Sequence, residues 1–84
     1  PMTHDQIYGR ILEILSETFD IDASRVSRNS QLGADLDIDS IDAVDLIVQL
    51  KPMIGSNLRP EAFKSVRTVG DVVEVVHSMM HATA

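Results

Sequence analysis

The side chains best suited to chemistry in this 84-residue chain lie between positions 35 and 45, where five aspartates surround one serine. Ser40 directly follows Asp39 and opens an apolar segment. A serine becomes a nucleophile only when a base and an oxyanion pocket lie beside it. The three histidines stand near the two ends of the chain, far from Ser40 in sequence. We therefore expect no catalysis by Ser40 alone, and activation of its hydroxyl must come from another protein.

Ser40 also has a purely structural interpretation. Serine is a favoured residue at the N-cap of a helix, where its side chain contributes about 1 kcal/mol. Asp39 is equally suited to that position. The sequence leaves open which of the two residues caps the helix that follows.

Two patterns that resemble metal sites are incomplete. Asp35, Asp37 and Asp39 match the first ligands of an EF-hand loop, but its glycine position holds Ser40 and its glutamate position holds Leu46. His77 and His81 are four residues apart and could share a metal, yet no third ligand is evident and the glutamate of HExxH is missing. We predict no metal site, and we expect both histidines, like His4, to be surface residues.

The segment from Ser40 to Leu50 has three stripes when it is drawn as a helix, because residues three and four apart share a face. The stripes are one polar set, Asp42, Asp45 and Gln49, and two apolar sets, Ile41 with Val44 and Val48, and Ala43 with Leu46, Ile47 and Leu50. One apolar stripe should face the core. The other either docks onto other proteins or packs against a second neighbour, and the spacing favours neither.

The remaining segments predict an all-α fold. Thr3 and Gln6 form a capping-box pattern for helix I, which should end near Thr18, with Ile7, Ile11, Leu12, Leu15 and Phe19 on its apolar face. The long loop from Phe19 to Asp39 should be ordered, because apolar residues recur along it at Phe19, Ile21, Val26, Leu32 and Leu36. Asp22 could cap a single turn through Arg25.

Three further elements are predicted after this loop. Helix II should run from Ser40 to about Leu50 and end before Pro52, since proline disfavours helical geometry in the residue before it. Met53 to Arg59 should be a connector, and Pro60 should begin a short helix III that runs to about Ser65 and is anchored by Phe63. Thr68 and Asp71 should start helix IV, whose apolar face is Val69, Val72, Val73, Val76, Met79 and Met80.

The predicted architecture is a small four-helix bundle, with three main helices, a short helix III and a long ordered loop between helices I and II. We assign residues 1–84 to one domain, in which Pro1 is expected to be a cloning remnant. The chain has no cysteine and no apolar run near the roughly 20 residues that span a bilayer. We expect a cytoplasmic monomer.

The net charge of −6 is unevenly distributed. Residues 1–45 hold ten acidic and three basic residues, whereas residues 46–84 hold three acidic and four basic residues. Nucleic acid is therefore an unsuitable ligand, because phosphate binding depends on lysine and arginine. Partners with basic patches are favoured instead.

The segment LGADLDIDSIDAVDL, residues 32–46, resembles the signature of the acyl carrier protein family. That signature has an apolar residue, then D-L-x-x-D-S-L, then a helix with acidic residues and valine. The resemblance implies that Ser40, next to Asp39, receives 4′-phosphopantetheine from coenzyme A, transferred by a separate magnesium-dependent phosphopantetheinyl transferase. It also implies that the chain is not an enzyme but carries acyl or polyketide intermediates as thioesters on that arm.

The same resemblance implies how partners and cargo are bound. Asp39, Asp42 and Asp45 would meet basic residues of a ketosynthase and other acyl-processing enzymes, while the apolar part of the contact would come from Ile41, Val44 and Val48. Family members shelter an acyl chain between helices II and III. Candidates for that lining are Leu46, Leu50, Leu58, Phe63 and Val66, for which plain core packing is the alternative role.

The sequence departs from the family pattern at three places. Ile41 replaces the usual leucine after the serine, Asp37 stands where glycine is common, and Lys51-Pro52-Met53 replaces an acidic tail on helix II. The resemblance implies that the chain serves fatty acid-, polyketide- or aryl polyene-type enzymes. With these differences, the segments DSIDAVDL and FKSVRTV look more like a dedicated carrier in a specialised type II pathway, such as aryl polyene synthesis, than like a housekeeping carrier of fatty acid synthesis. A peptidyl or aminoacyl carrier and a non-carrier helical interaction domain are the alternatives.

Overall fold

Three α-helices and three short 3-10 turns form the part of the chain that the computed structural model describes, residues 2–81. Pro1 lies outside the described residues. The α-helices are α1 (His4–Phe19), α2 (Ser40–Ile54) and α3 (Val69–Met80), and the 3-10 turns are Ala23–Arg25, Gly55–Asn57 and Pro60–Phe63. The all-α prediction is confirmed. None of the described helices is long and apolar enough to cross a membrane.

Each α-helix begins with a capping box, in which the cap side chain and the side chain three residues later each accept a backbone N–H of the other residue. The pairs are Thr3 with Gln6, Asp39 with Asp42, and Thr68 with Asp71. The predicted starts of helices I and IV are therefore confirmed. Asp22 caps the turn Ala23–Arg25, also as predicted, by accepting the N–H of Ser24 at 2.9 Å.

The prediction that helix II ends before Pro52 is wrong, because α2 continues through Pro52 to Ile54. Proline removes one helical hydrogen bond and disfavours helical geometry in Lys51. That local cost is offset because the extra turn buries Ile54 in the core. The helix instead ends at Gly55, whose φ of 76° suits glycine and whose N–H donates to the carbonyl of Lys51.

Helix III is shorter than predicted and is not an α-helix. Pro60 begins it, as expected, but the segment is the four-residue 3-10 turn Pro60–Phe63. Phe63 is half-buried and packs against the core. In the described chain the predicted helix III is thus one of the three 3-10 turns that accompany the three α-helices.

One aliphatic core joins the helices and the long loop. Its members are Ile7, Ile11, Ile14, Leu15, Ile21, Leu36, Ile38, Leu46, Leu50, Ile54, Val69, Val72, Val73, Val76 and Met79. The predicted faces of helices I and IV supply most of it. Ile14, Ile38 and Ile54 were missed. Phe19 and Met80 are half-buried and pack against this core, and Leu12 is half-buried.

The long loop is fixed by backbone hydrogen bonds to the start of α3 as well as by its apolar residues. The N–H of Val69 donates to the carbonyl of Ser30 at 3.0 Å, and the N–H of Gly70 donates to that of Arg28 at 2.8 Å. A β-carbon at position 70 would lie 3.0 Å from the Arg28 carbonyl oxygen. Glycine at this position therefore permits the close approach of loop and helix.

All three histidines meet where the start of α1 packs beside the end of α3, which the sequence analysis did not anticipate. The rings of His4 and His77 stack with centroids 3.8 Å apart, and those of His77 and His81 with centroids 4.1 Å apart. His4 Nε2 also lies 3.1 Å from Glu74 Oε1. His4 is therefore not a simple solvated residue of the first turn. The sequence could not show this contact because 73 positions separate His4 from His77.

This histidine stack should make stability depend on pH. The pKa of His77 lies below its ordinary 6.5 because partial burial disfavours its charged form and His4 and His81 repel it, while Glu74 opposes the shift. The unfolded chain thus binds this proton more tightly. The stabilisation is complete above pH 6.5 and is lost as pH falls through 6.5 toward the folded-state pKa. Urea unfolding of wild type and His77→Gln at pH ~7.5 and ~5.5 should show a smaller loss of stability in the variant.

Ser78→Ala, a change at the exposed neighbouring residue, is the control and should keep the wild-type pH dependence. An equal loss of stability in wild type and His77→Gln would contradict the prediction.

Candidate functional site

Ser40 is the first residue of α2, and its side chain is exposed. The cap before it is Asp39, whose Oδ1 accepts the N–H of Asp42 at 2.9 Å, and Asp42 Oδ2 accepts the N–H of Asp39 at 3.4 Å. Among residues 2–81 the Ser40 hydroxyl has no hydrogen-bond partner. The capping role therefore belongs to Asp39, and the serine hydroxyl is not needed to start the helix.

Exposed and buried residues alternate along the loop just before Ser40. Leu36 and Ile38 are 7% exposed and belong to the core, whereas Asp35, Asp37 and Asp39 are exposed. The N–H of Ile38 donates to the carbonyl of Leu32 at 2.9 Å. This anchor lies two residues before Ser40 and fixes where α2 begins.

Two carboxylates of this loop accept hydrogen bonds from backbone N–H groups. Asp35 Oδ2 accepts the N–H of Gln31 at 2.7 Å, and Asp39 caps α2. Asp37 has a φ of 58°, a left-handed conformation that aspartate tolerates and glycine favours. Within the described chain, no group of three or more histidine, cysteine, aspartate or glutamate side chains could hold a metal ion.

The two apolar stripes of α2 have opposite environments. Leu46 and Leu50 are buried, whereas Ile41, Val44 and Val48 are 78%, 61% and 59% exposed. This exposed set, which we call the outer stripe, is not packed against a second neighbour in the described chain. Asp45 beside it is exposed, and Asp42 is half-buried. Of the two interpretations left open by the sequence, only an unpartnered stripe agrees with the structure.

A cavity of about 490 Å³ opens beside Ser40. Ser40 and Ala43 line it from α2, Asp39 from the cap of that helix, and Lys64, Val66 and Arg67 from the segment that precedes α3. The loop contributes Gln31, Leu32, Gly33, Ala34 and Ile38. No histidine is among the described residues that line this cavity. Sequence reasoning missed the proximity of Lys64 and Arg67 to Ser40.

Hydrogen bonds hold the cavity wall that contains Arg67. The N–H of Leu32 donates to the Arg67 carbonyl at 2.9 Å. The N–H groups of Arg67 and Thr68 donate to Asp71 Oδ2 at 2.9 and 3.0 Å. These two donors hold the pKa of the Asp71 carboxyl below its ordinary 3.8. The backbone on this side of the cavity is therefore fixed, while the Arg67 side chain is exposed.

A second, apolar cavity of about 70 Å³ lies deeper between α2 and the turn at Phe63. It is lined by Leu32, Ala43, Leu46, Ile47, Phe63, Val66 and Val72. Of the predicted cavity residues, Leu46, Phe63 and Val66 line it. Leu50 is instead fully buried in the core, and Leu58 is half-buried elsewhere.

Comparisons with known proteins agree with this arrangement. Residues 9–76 match the family described as "Phosphopantetheine attachment site". The chain is 51% identical over 81 residues to acyl carrier protein 2 of Ralstonia nicotianae, covering 96% of this chain and all of that protein. It is 34% identical to the meromycolate extension acyl carrier protein of Mycobacterium bovis, covering 94% and 69%. The solved structure of the Enterococcus faecalis acyl carrier protein superposes with a TM-score of 0.72 at 28% identity, covering 92% and 98%.

The fold and the family match define a phosphopantetheine-binding carrier. The chain belongs to the acyl carrier protein family. It carries covalently attached 4′-phosphopantetheine, is itself non-catalytic and works with acyl-processing enzymes. The surroundings of Ser40 fit this group, because this exposed residue, whose hydroxyl makes no hydrogen bond within the described part of the chain, lines a cavity within the roughly 300–1,000 Å³ typical of small-molecule sites.

The division of roles between Asp39 and Ser40 can be tested by stability. Asp39→Ala removes the acceptor for the Asp42 N–H and should lower the free energy of unfolding by about 1 kcal/mol. Ser40→Ala removes a hydroxyl without a partner and should change it by less than about 0.5 kcal/mol. Urea unfolding measures both. A cost at Ser40 equal to that at Asp39 would show that the serine also contributes to the cap.

Proposed function

We propose that Ser40 is the residue to which 4′-phosphopantetheine is attached. The observation that supports this most directly is the exposed hydroxyl of Ser40, which makes no hydrogen bond among residues 2–81 and borders the large cavity. Asp39 caps the helix, so Ser40 can be modified without loss of the cap. Asp39 also borders the cavity, where it would flank the arm.

Attachment requires a phosphopantetheinyl transferase. The Ser40 Oγ would form a bond to the phosphorus of coenzyme A that bears the pantetheine, and the bond from that phosphorus to 3′,5′-ADP would break. The cavity beside Ser40 has no histidine in the described chain, so the base that takes the serine proton would belong to the transferase. Once attached, the arm supplies a thiol on which acyl groups are carried.

Loading can be followed by intact mass. Incubation with coenzyme A, Mg²⁺ and a broad-specificity transferase should add the mass of one phosphopantetheine to the wild type. Ser40→Ala should remain unmodified, while Ser65→Ala, at another exposed serine, should be loaded normally. Peptide mapping that places the added mass on a residue other than Ser40 would overturn the assignment.

The outer stripe and its acidic border, Asp39, Asp42 and Asp45, are proposed as the surface that the phosphopantetheinyl transferase and acyl-processing enzymes, including a ketosynthase, contact. Three exposed aliphatic residues in one row are what a helix that docks on other proteins presents. Asp39 caps this helix, and Asp42 and Asp45 lie within it. All three would meet basic patches on those enzymes. Charge pairs at such a border mainly speed encounter, which suits a carrier that must also dissociate.

Asp45 is the best position at which to test this surface. Asp42 also accepts the N–H of Asp39, so reversing its charge would disturb the start of α2 together with any partner contact. Asp45→Lys should lower the kcat/KM of phosphopantetheinyl transfer at low salt by roughly 3- to 10-fold, with a smaller effect at high salt.

Glu17→Lys is the matched control, because it makes the same charge change at an exposed residue of α1. It should leave kcat/KM near the wild-type value. Equal rates for wild type and Asp45→Lys at low salt would reject this surface.

We further propose that the chain is a single carrier domain, monomeric and cytoplasmic, in a specialised polyketide or aryl polyene pathway. The specialised pathway is supported by the departures from the family pattern at Ile41, Asp37 and Lys51-Pro52-Met53. Of these, Lys51 gives the last turn of α2 a positive charge in place of an acidic tail. Leu46, Phe63 and Val66 would contact a sheltered acyl group. Parallel loading of the arm with acyl and aminoacyl groups distinguishes this role from that of an aminoacyl carrier.

A further inference from the structure

The large cavity beside Ser40 is electrostatically asymmetric. Asp39 lies on the α2 side, and Lys64 and Arg67 lie on the side formed by the segment before α3. Between them the lining is largely apolar, with Leu32, Ile38, Ala43 and Val66. An anion attached at Ser40 would therefore have acidic residues along its own helix and two cations across the cavity.

Lys64 and Arg67 are available for such an anion. Among the described residues, Arg10 lies within 3.6 Å of Glu13 and Arg28 pairs with Asp5, but neither Lys64 nor Arg67 takes part in an ion pair. Both side chains are exposed. Arg25, Lys51 and Arg59 also have no ion pair among the described residues, but of these unpaired cations only Lys64 and Arg67 line the cavity beside Ser40.

We propose that Lys64 and Arg67 bind the phosphodiester of the chain's own 4′-phosphopantetheine arm and thereby hold the arm in this cavity between visits to enzymes. This proposal rests on attachment at Ser40. The phosphodiester carries one negative charge, which Asp37, Asp39 and Asp42 repel and the two cations attract. The first part of the arm is thus directed across the cavity and away from the outer stripe, so the partner surface remains accessible.

Because the arm is covalently linked to the chain, weak contacts are sufficient to hold it in the cavity. A ligand tethered by a short flexible arm is present at an effective concentration of about millimolar, so two exposed charge contacts and an apolar floor can hold it for much of the time. Weak binding also permits release. A partner that offers its own basic residues at α2 would compete for the phosphodiester and free the arm.

The test uses the loaded protein and measures the position of the arm by NMR. In the wild type, attachment should shift the backbone amides of Gly33, Val66 and Arg67, and nuclear Overhauser effects should join the geminal methyls of the arm to the methyls of Ala43 and Val66. In Lys64→Gln/Arg67→Gln, these shifts and effects should fall roughly 3- to 10-fold. In Lys51→Gln/Arg59→Gln, which removes two exposed cations outside the cavity, they should persist.

Salt provides a measurement that does not depend on a variant. The same effects in wild-type loaded protein should weaken progressively as NaCl is raised to about 0.5 M, because screening reduces contacts between exposed charges. Effects that persist unchanged at high salt, or that persist in Lys64→Gln/Arg67→Gln, would overturn the role of the two cations.

Failure of this proposal can be distinguished from failure of the attachment site. Mass spectrometry that places the arm on Ser40, with no amide shifts beyond residues 39–43, would refute binding in the cavity and leave the attachment intact. If Lys64→Gln/Arg67→Gln slowed only reactions with partner enzymes, the cations would contact an acidic partner surface instead. Absence of the added mass would refute attachment itself.

Discussion

The hydrogen bond from the Asp42 N–H to the Asp39 carboxylate is the contact on which the site depends. It supplies an acceptor for a backbone group that would otherwise lack one at the start of α2. Because Asp39 provides that acceptor, the hydroxyl of Ser40 is not needed to cap the helix. Ser40 can therefore occupy the first turn of a helix and still expose a hydroxyl that has no hydrogen-bond partner among residues 2–81, as the proposed attachment of the arm requires.

The same helix serves two surfaces because its apolar arc is wider than the core requires. Leu46, Leu50 and Ile54 are buried in the common core, whereas the outer stripe is exposed. Keeping a row of aliphatic side chains in water contributes nothing to folding. It is consistent with a protein that works by brief contacts with enzymes, for which a modest apolar patch bordered by acidic residues gives recognition without tight binding.

Helix starts, the core faces of α1 and α3, the ordered loop and the exposed serine were all accessible from the sequence. Capping boxes and helical spacing are local patterns, and local patterns are read directly from neighbouring residues. The errors lie where local preference and tertiary packing disagree. Pro52 argued for an early end to α2, but burial of Ile54 outweighed the lost hydrogen bond. Pro60 marked the start of a helix correctly, yet the segment closes after one 3-10 turn.

The sequence by itself determined the family, the three α-helices and the candidate attachment residue, because each depends on residue types at short, fixed spacings. Only the tertiary structure decided which apolar stripe of α2 faces solvent, that Asp39 rather than Ser40 forms the cap, and that Lys64 and Arg67 lie across a cavity from Ser40. It also brought His4 beside His77 and His81. These contacts join segments separated by tens of residues, and their distances depend on how the whole chain packs around its core rather than on any local pattern.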